Sequence, residues 1–170
     1  HREMIEQLVN RLLEPLLEKD DIDFIEAFAA PIPGQVIGAL LGLPQEDAAQ
    51  LRVWVEDMVR FFDVDRSDAK KHAAETATAS LCNYLTDEIK SRSDALGDDL
   101  LSVLIRAERT REITETELIA TALLILAAGH GSTIDVIGTG MANLLGHPDQ
   151  WQALKNDQAL IPSAIQEMFR

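Results

Sequence analysis

The chain has one cysteine, Cys82, in 170 residues, which excludes an internal disulfide framework and fits a reducing compartment. Basic residues are scarce, with 15 Lys and Arg against 29 Asp and Glu, a formal charge of −14. A surface that follows nucleic-acid phosphates needs a basic stripe, so nucleic acid is excluded as a partner. The Lys70-Lys71-His72 cluster is too small to supply one. Four histidines are scattered, and none recurs with a second histidine or carboxylate at ligand spacing, so no metal site is expected. Aromatics make up only 5% while Ala and Leu dominate, a composition that favours helix over sheet. No signal peptide is visible. The longest apolar run, residues 118–129, is shorter than the roughly 20 residues that cross hydrocarbon. No membrane contact and a cytoplasmic location are therefore expected.

What is present reads as one mainly α domain over residues 1–170, long enough to bury a sizeable core. Residues 3–18 show paired apolar positions at helical spacing, with Pro15 set to kink or end the helix. Ile22 and Phe24 alternate in a short strand-like segment near 22–28. Helices follow at 31–43, 46–62, 69–91 and 99–108, and the second and third of these are amphipathic. Trp54 and Trp151 read as packing anchors, and His72 and His147 as solvated or helix-end residues.

A long central helix is expected over about 114–146. Thr114 is a good N-cap, and Glu117 can complete a capping box. Residues 118–128 are then almost purely apolar, so the helix should be dry on every side. Ala128-Gly129-His130-Gly131-Ser132-Thr133 interrupts it. Each glycine weakens helix by roughly 1 kcal/mol against alanine, and the hydroxyl that follows can bond to carbonyls and open the turn. Small residues here serve either close helix packing or a group seated against the gap. Downstream, Leu145-Gly146-His147-Pro148 stops the helix, and Glu167-Met168-Phe169-Arg170 closes the chain.

This order of motifs strongly resembles the cytochrome P450 family in its soluble bacterial branch. There a central helix carries Ala/Gly-Gly-x-Asp/Glu-Thr-Thr and a later helix carries Glu-x-x-Arg. Residues 24–33 with Leu40-Leu41-Gly42-Leu43-Pro44, and residues 98–104, resemble further stretches of that family in the same order. The resemblance implies a partial cytochrome P450 fold with two lid-like helices. It also implies a haem-thiolate monooxygenase that inserts oxygen into a small organic substrate, with electrons from a ferredoxin-type partner. Ser132 and Thr133 then correspond to the oxygen-side hydroxyls, and Ala128 and Gly129 to the haem-facing groove. Val59, Phe62, Val64 and Leu126 correspond to substrate-facing positions, and Glu167 and Arg170 to a structural pair.

Two departures stand beside that match. Gly131 occupies the acid position, where glycine can do no proton chemistry, and Ser132 replaces threonine. The cysteine-bearing loop of the family is absent, because Cys82 lies in a plainly helical stretch without glycine framing. The expectation is a fragment that binds no stoichiometric haem and is inactive alone. The alternative is a haem-free partner or scaffold, such as a glycosyltransferase activator, or a decayed gene product. The uncovered flank of the central helix is expected to associate as a homodimer or swapped oligomer.

Overall fold

The computed structural model describes residues 1–63, 67–92 and 95–170. Nine α-helices run through these residues: α1 (Arg2–Leu13), α2 (Pro31–Leu41), α3 (Ala48–Val59), α4 (Asp68–Ser91), α5 (Leu100–Arg109), α6 (Glu115–Ala128), α7 (Gly131–Gly146), α8 (Pro148–Asn156) and α9 (Ile161–Met168). They fall into two compact units, Pro31–Gly131 and His1–Ala30 with Ser132–Arg170. The fold class is mainly α, as the composition suggests.

The short strand expected near 22–28 is not formed. Asp23 Oδ1 accepts the Glu26 N–H at 3.0 Å and its carbonyl accepts the Ala27 N–H at 2.8 Å, which starts a helical turn. Residues Ile25–Ala29 continue it as a π-helix, closed by Ala30 N–H to the Ile25 carbonyl at 2.8 Å. Phe24 and Phe28 then stack four residues apart, with ring centroids 5.3 Å from each other. A lone strand leaves its backbone groups unpaired, whereas this turn satisfies them locally. Among the described residues there is no second strand to pair with.

Pro15 acts as expected: α1 stops at Leu13 and residues Glu14–Leu16 form a 3-10 turn. In the same unit, a side chain on Gly138 would run into Ile25, and one on Gly140 into Met168, so α7 lies close to both neighbours. His147 Nδ1 lies 2.8 Å from the Asn143 carbonyl at the end of α7, and Pro148 opens α8.

The other unit is built on α3 and α4, which meet α2 and α6, and α5 packs on α2 and α6. Leu41, Leu81, Leu85, Leu101 and Leu118 are its most completely buried large side chains. Trp54 packs on this core beside Tyr84, and the Tyr84 hydroxyl donates to Asp47 Oδ2 at 2.8 Å. Burial, reinforced by that carboxylate, pushes the phenol well above its ordinary range.

A polar knot ties three helix ends of this unit together. Gly42 follows α2 at φ +71, a left-handed conformation suited to glycine. Arg92, after α4, donates to the Leu41 and Gly42 carbonyls and pairs with Glu88 at 3.1 Å and Asp99 at 2.9 Å. Asp99 caps α5 by accepting the Ser102 N–H at 2.8 Å. Burial alone would raise the Asp99 carboxyl, but the Ser102 amide and hydroxyl and the Arg92 guanidinium together hold it below the usual range.

Helix α6 begins with the expected capping box, in which the Glu117 N–H donates to Thr114 Oγ1 at 3.2 Å and the Thr114 N–H to Glu117 Oε2 at 2.8 Å. The central helix is not continuous. It breaks at Gly129 and His130, whose amides reach the Ile125 and Ala127 carbonyls at a long 3.4 Å. Residues 115–146 together are long and apolar enough to cross a membrane by composition, a span the uninterrupted run did not reveal. The break divides them into helices of 14 and 16 residues, each short of the roughly 20 needed.

Candidate functional site

Helix α6 has two faces that its all-apolar sequence conceals. Leu118, Ala122, Leu126 and, beyond the helix end, His130 recur every four residues on the buried side. Ala120, Leu124 and Ala128 recur every four residues on the exposed side, and Leu124 is 66% exposed. The expectation of a helix dry on all sides is therefore corrected: one stripe packs and the opposite stripe is uncovered. Leu126, expected to face substrate, is 4% exposed and belongs to the core cluster, so its side chain is committed to packing. The exposure of Leu124 was not readable in the sequence, because an apolar residue on an all-apolar helix carries no sign of which way it points.

The two glycines of the motif differ in role. A Cβ on Gly129 would come within 2.5 Å of Ile37 Cδ1, so this glycine permits close packing on α2. Ala128, its neighbour, is the exposed member of the expected haem-facing pair. A Cβ on Gly131 would meet nothing within 4 Å, so packing does not demand glycine at the acid position.

His130 is 3% exposed, and its Nε2 has no hydrogen-bond partner. Burial pushes its imidazole below the ordinary value; Glu56 pulls it back up and Arg52 pushes it down again. Sequence alone had placed no weight on this residue.

Of the expected lid positions, Val59 ends α3 and Phe62 lies in the 3-10 turn Arg60–Phe62. Both are exposed, Phe62 at 78%, and its ring meets Phe61 edge-on at 5.7 Å between centroids. Phe61 also borders a shallow cleft against Ala74, Glu75, Thr78 and Ala79 of α4. Val64 lies outside the described residues.

The hydroxyls sit in the second unit, in the first turn of α7. Ser132 is exposed and Thr133 half-buried. Glu167 and Arg170 pair at 3.2 Å, both largely exposed, so here they form a solvated ion pair contributing at most about 0.5 kcal/mol. Next to Glu167, α7, α8 and α9 enclose an apolar cleft of about 410 Å³ that includes Leu144, Leu154, Leu160 and Met168.

For a haem iron this chain offers no axial sulfur in a suitable setting. Cys82 is half-buried in the middle of α4, beside the fully buried Leu81, and its carbonyl accepts the Thr86 hydroxyl at 2.8 Å. Among the described residues no group of three or more His, Cys, Asp or Glu could hold a metal ion. Cys82, in its helical setting, does not fit as a haem thiolate.

No protein-family model matches the chain. It is 37% identical to cytochrome P450 107B1 of Saccharopolyspora erythraea over 99% of this chain and 40% of that protein. It is 38% identical to the cytochrome P450 monooxygenase PikC of Streptomyces venezuelae, again over 99% of this chain and 40% of that one. The crystal structure of CalO2 superimposes with a TM-score of 0.92 at 27% identity, covering 97% of this chain and 42% of its own. The chain thus spans about two-fifths of the length of the curated relatives it matches.

Proposed function

We propose that the chain belongs to the cytochrome P450 family and is the oxygen- and substrate-side part of a bacterial haem-thiolate monooxygenase acting on a small organic molecule. Its 170 residues are one incomplete domain of such an enzyme. The observation that carries this reading is the uncovered stripe Ala120–Leu124–Ala128 on a helix whose opposite face is core. A helix this apolar is normally covered on all sides. In the resembling family the haem, with its thiolate supplied elsewhere, performs the oxygen chemistry.

This chain's residues have supporting tasks. Ala128 presents a methyl-sized flat surface, and Leu124, rather than Leu126, supplies apolar contact. Ser132 and Thr133 can each donate and accept a hydrogen bond, which is what holding or passing a proton requires. Val59 and Phe62 are exposed apolar groups suited to covering a substrate. Electrons come from a ferredoxin-type partner in this reading, and the cellular setting is the cytoplasm. The uncovered stripe also drives self-association of the chain when it stands alone.

Without an axial sulfur the chain by itself has no monooxygenase activity. Purified chain mixed with haem, reduced and exposed to carbon monoxide should show no thiolate-type Soret band; a sharp, stoichiometric one refutes this. Sequencing the gene past Arg170 tests the wider reading. A glycine-rich loop bearing cysteine supports the enzyme, and a continuation without one sinks it. The second reading, a haem-free partner protein, is favoured by one observation: Gly131 stands at the acid position although the space around it would admit a side chain.

A further inference from the structure

His130 and Ser102 are the buried polar side chains among the described residues, and they are treated differently. Ser102 donates to Asp99 and accepts from the Gly97 N–H. His130 leaves Nε2 with no partner, a condition most buried polar groups avoid. Its ring lies on bare backbone: a Cβ on Gly34 would sit 2.8 Å from His130 Cε1. One turn along α2, Ile37 fills the space left by Gly129 in the same manner. The end of α6 is thus seated on α2 through an imidazole on a glycine and an isoleucine on a glycine.

We propose that His130 is a proton-sensitive latch: the neutral imidazole seals the end of α6 onto α2, and protonation expels the ring and releases that seam. This inference stands independently of any catalytic role. A buried imidazolium needs a counter-charge or an acceptor for each N–H. The charged groups facing it come from α3, where Arg52 and Glu56 are already bound to each other at 2.6 Å. The Glu56 carboxylate, which favours the charged ring, is shared with Arg52, which adds a like charge. Helix α2 carries no titratable residue, and the acids of α6, Glu115 and Glu117, lie in its first turn at the opposite end.

Burial disfavours the proton on the folded ring, as described above, so the folded chain binds fewer protons than the unfolded or released one. The seam is accordingly at full strength above the ordinary imidazole value of about 6.5 and weakens as pH falls below it. One proton changes the latched-to-released ratio by up to about tenfold for each pH unit in that window.

The test is histidine-resolved NMR with amide exchange on the chain between pH 7 and 5. The His130 ring should stay neutral below the ordinary imidazole value of about 6.5. Over the same range, protection of Ile37, Ala122 and Leu126, corrected for intrinsic exchange, should fall, while that of Leu8 in the other unit should not. In His130→Phe that fall should vanish. If His130→Phe does not fold, the unsubstituted chain decides alone. A His130 ring that titrates at or above the ordinary imidazole value, with unchanged protection, overturns the latch. So does a folded His130→Phe that keeps the pH-dependent fall.

Discussion

Leu124 and Leu126 are two residues apart on one helix, yet one is 66% and the other 4% exposed. Truncating each to alanine tests which side of α6 is open. Leu126→Ala leaves a void inside the cluster formed with Ile37, Leu81, Leu118 and Ala122. Loss of a buried leucine side chain, counting transfer and cavity, costs about 2–5 kcal/mol. Leu124→Ala removes a side chain that water already reaches and should stay within about 0.5 kcal/mol of the parent, helped by the helix preference of alanine. For a chain of this size each kcal/mol moves the melting point by about 2–4 °C, so Leu126→Ala should melt on the order of 10 °C lower.

The two units can unfold separately, so the probe must report on one of them. The chain has two tryptophans, and a Trp151→Phe background leaves Trp54, packed on the core in question, as the sole indole. Its fluorescence during thermal and urea unfolding reads the effect. Equal losses for the two variants, or a larger loss for Leu124→Ala, would mean that α6 presents its faces the other way round. The assignment of Ala120, Leu124 and Ala128 to an open surface would then fall, and the proposed function with it.

The remaining predictions concern glycines and association. Gly34→Ala drives a methyl into the His130 ring and should destabilise by about 1–3 kcal/mol, measured by the same fluorescence. Gly131→Glu meets no neighbour, removes a helix-weakening glycine and places a negative charge in the first turn of α7. A gain of about 0.5–1 kcal/mol is expected in thermal melts followed by circular dichroism, and a clear loss would show that the position is crowded. The chain should scatter light as a dimer at micromolar concentration and revert to monomer on Leu124→Glu. A monomeric parent chain would refute association through the uncovered stripe.

Most local signals were readable from the residue string. Thr114 and Glu117 announced a helix start, Pro15 a helix end, and the two glycines around His130 an interruption, because each acts through backbone groups within one turn of itself. The order of these motifs likewise carried the family resemblance. One local signal was misread. The alternation of Ile22 and Phe24 suits a strand, but Asp23 captures the neighbouring amides and Phe24 meets Phe28, so a π-helical turn forms instead.

The faces of α6 were illegible for a general reason. Periodicity reveals orientation through contrast between polar and apolar positions, and residues 118–128 offer almost none. Tertiary packing alone decided that Leu126 is core and Leu124 is open. It also decided that Gly129 is filled by Ile37 while Gly131 is not, and that His130 rests unpaired on Gly34. Sequence by itself determined the helix start at Thr114, the stop at Pro15 and the break around His130, since those choices depend on hydrogen bonds between near neighbours. Which side chains are dry depends on residues far away along the chain, and that only the folded arrangement supplies.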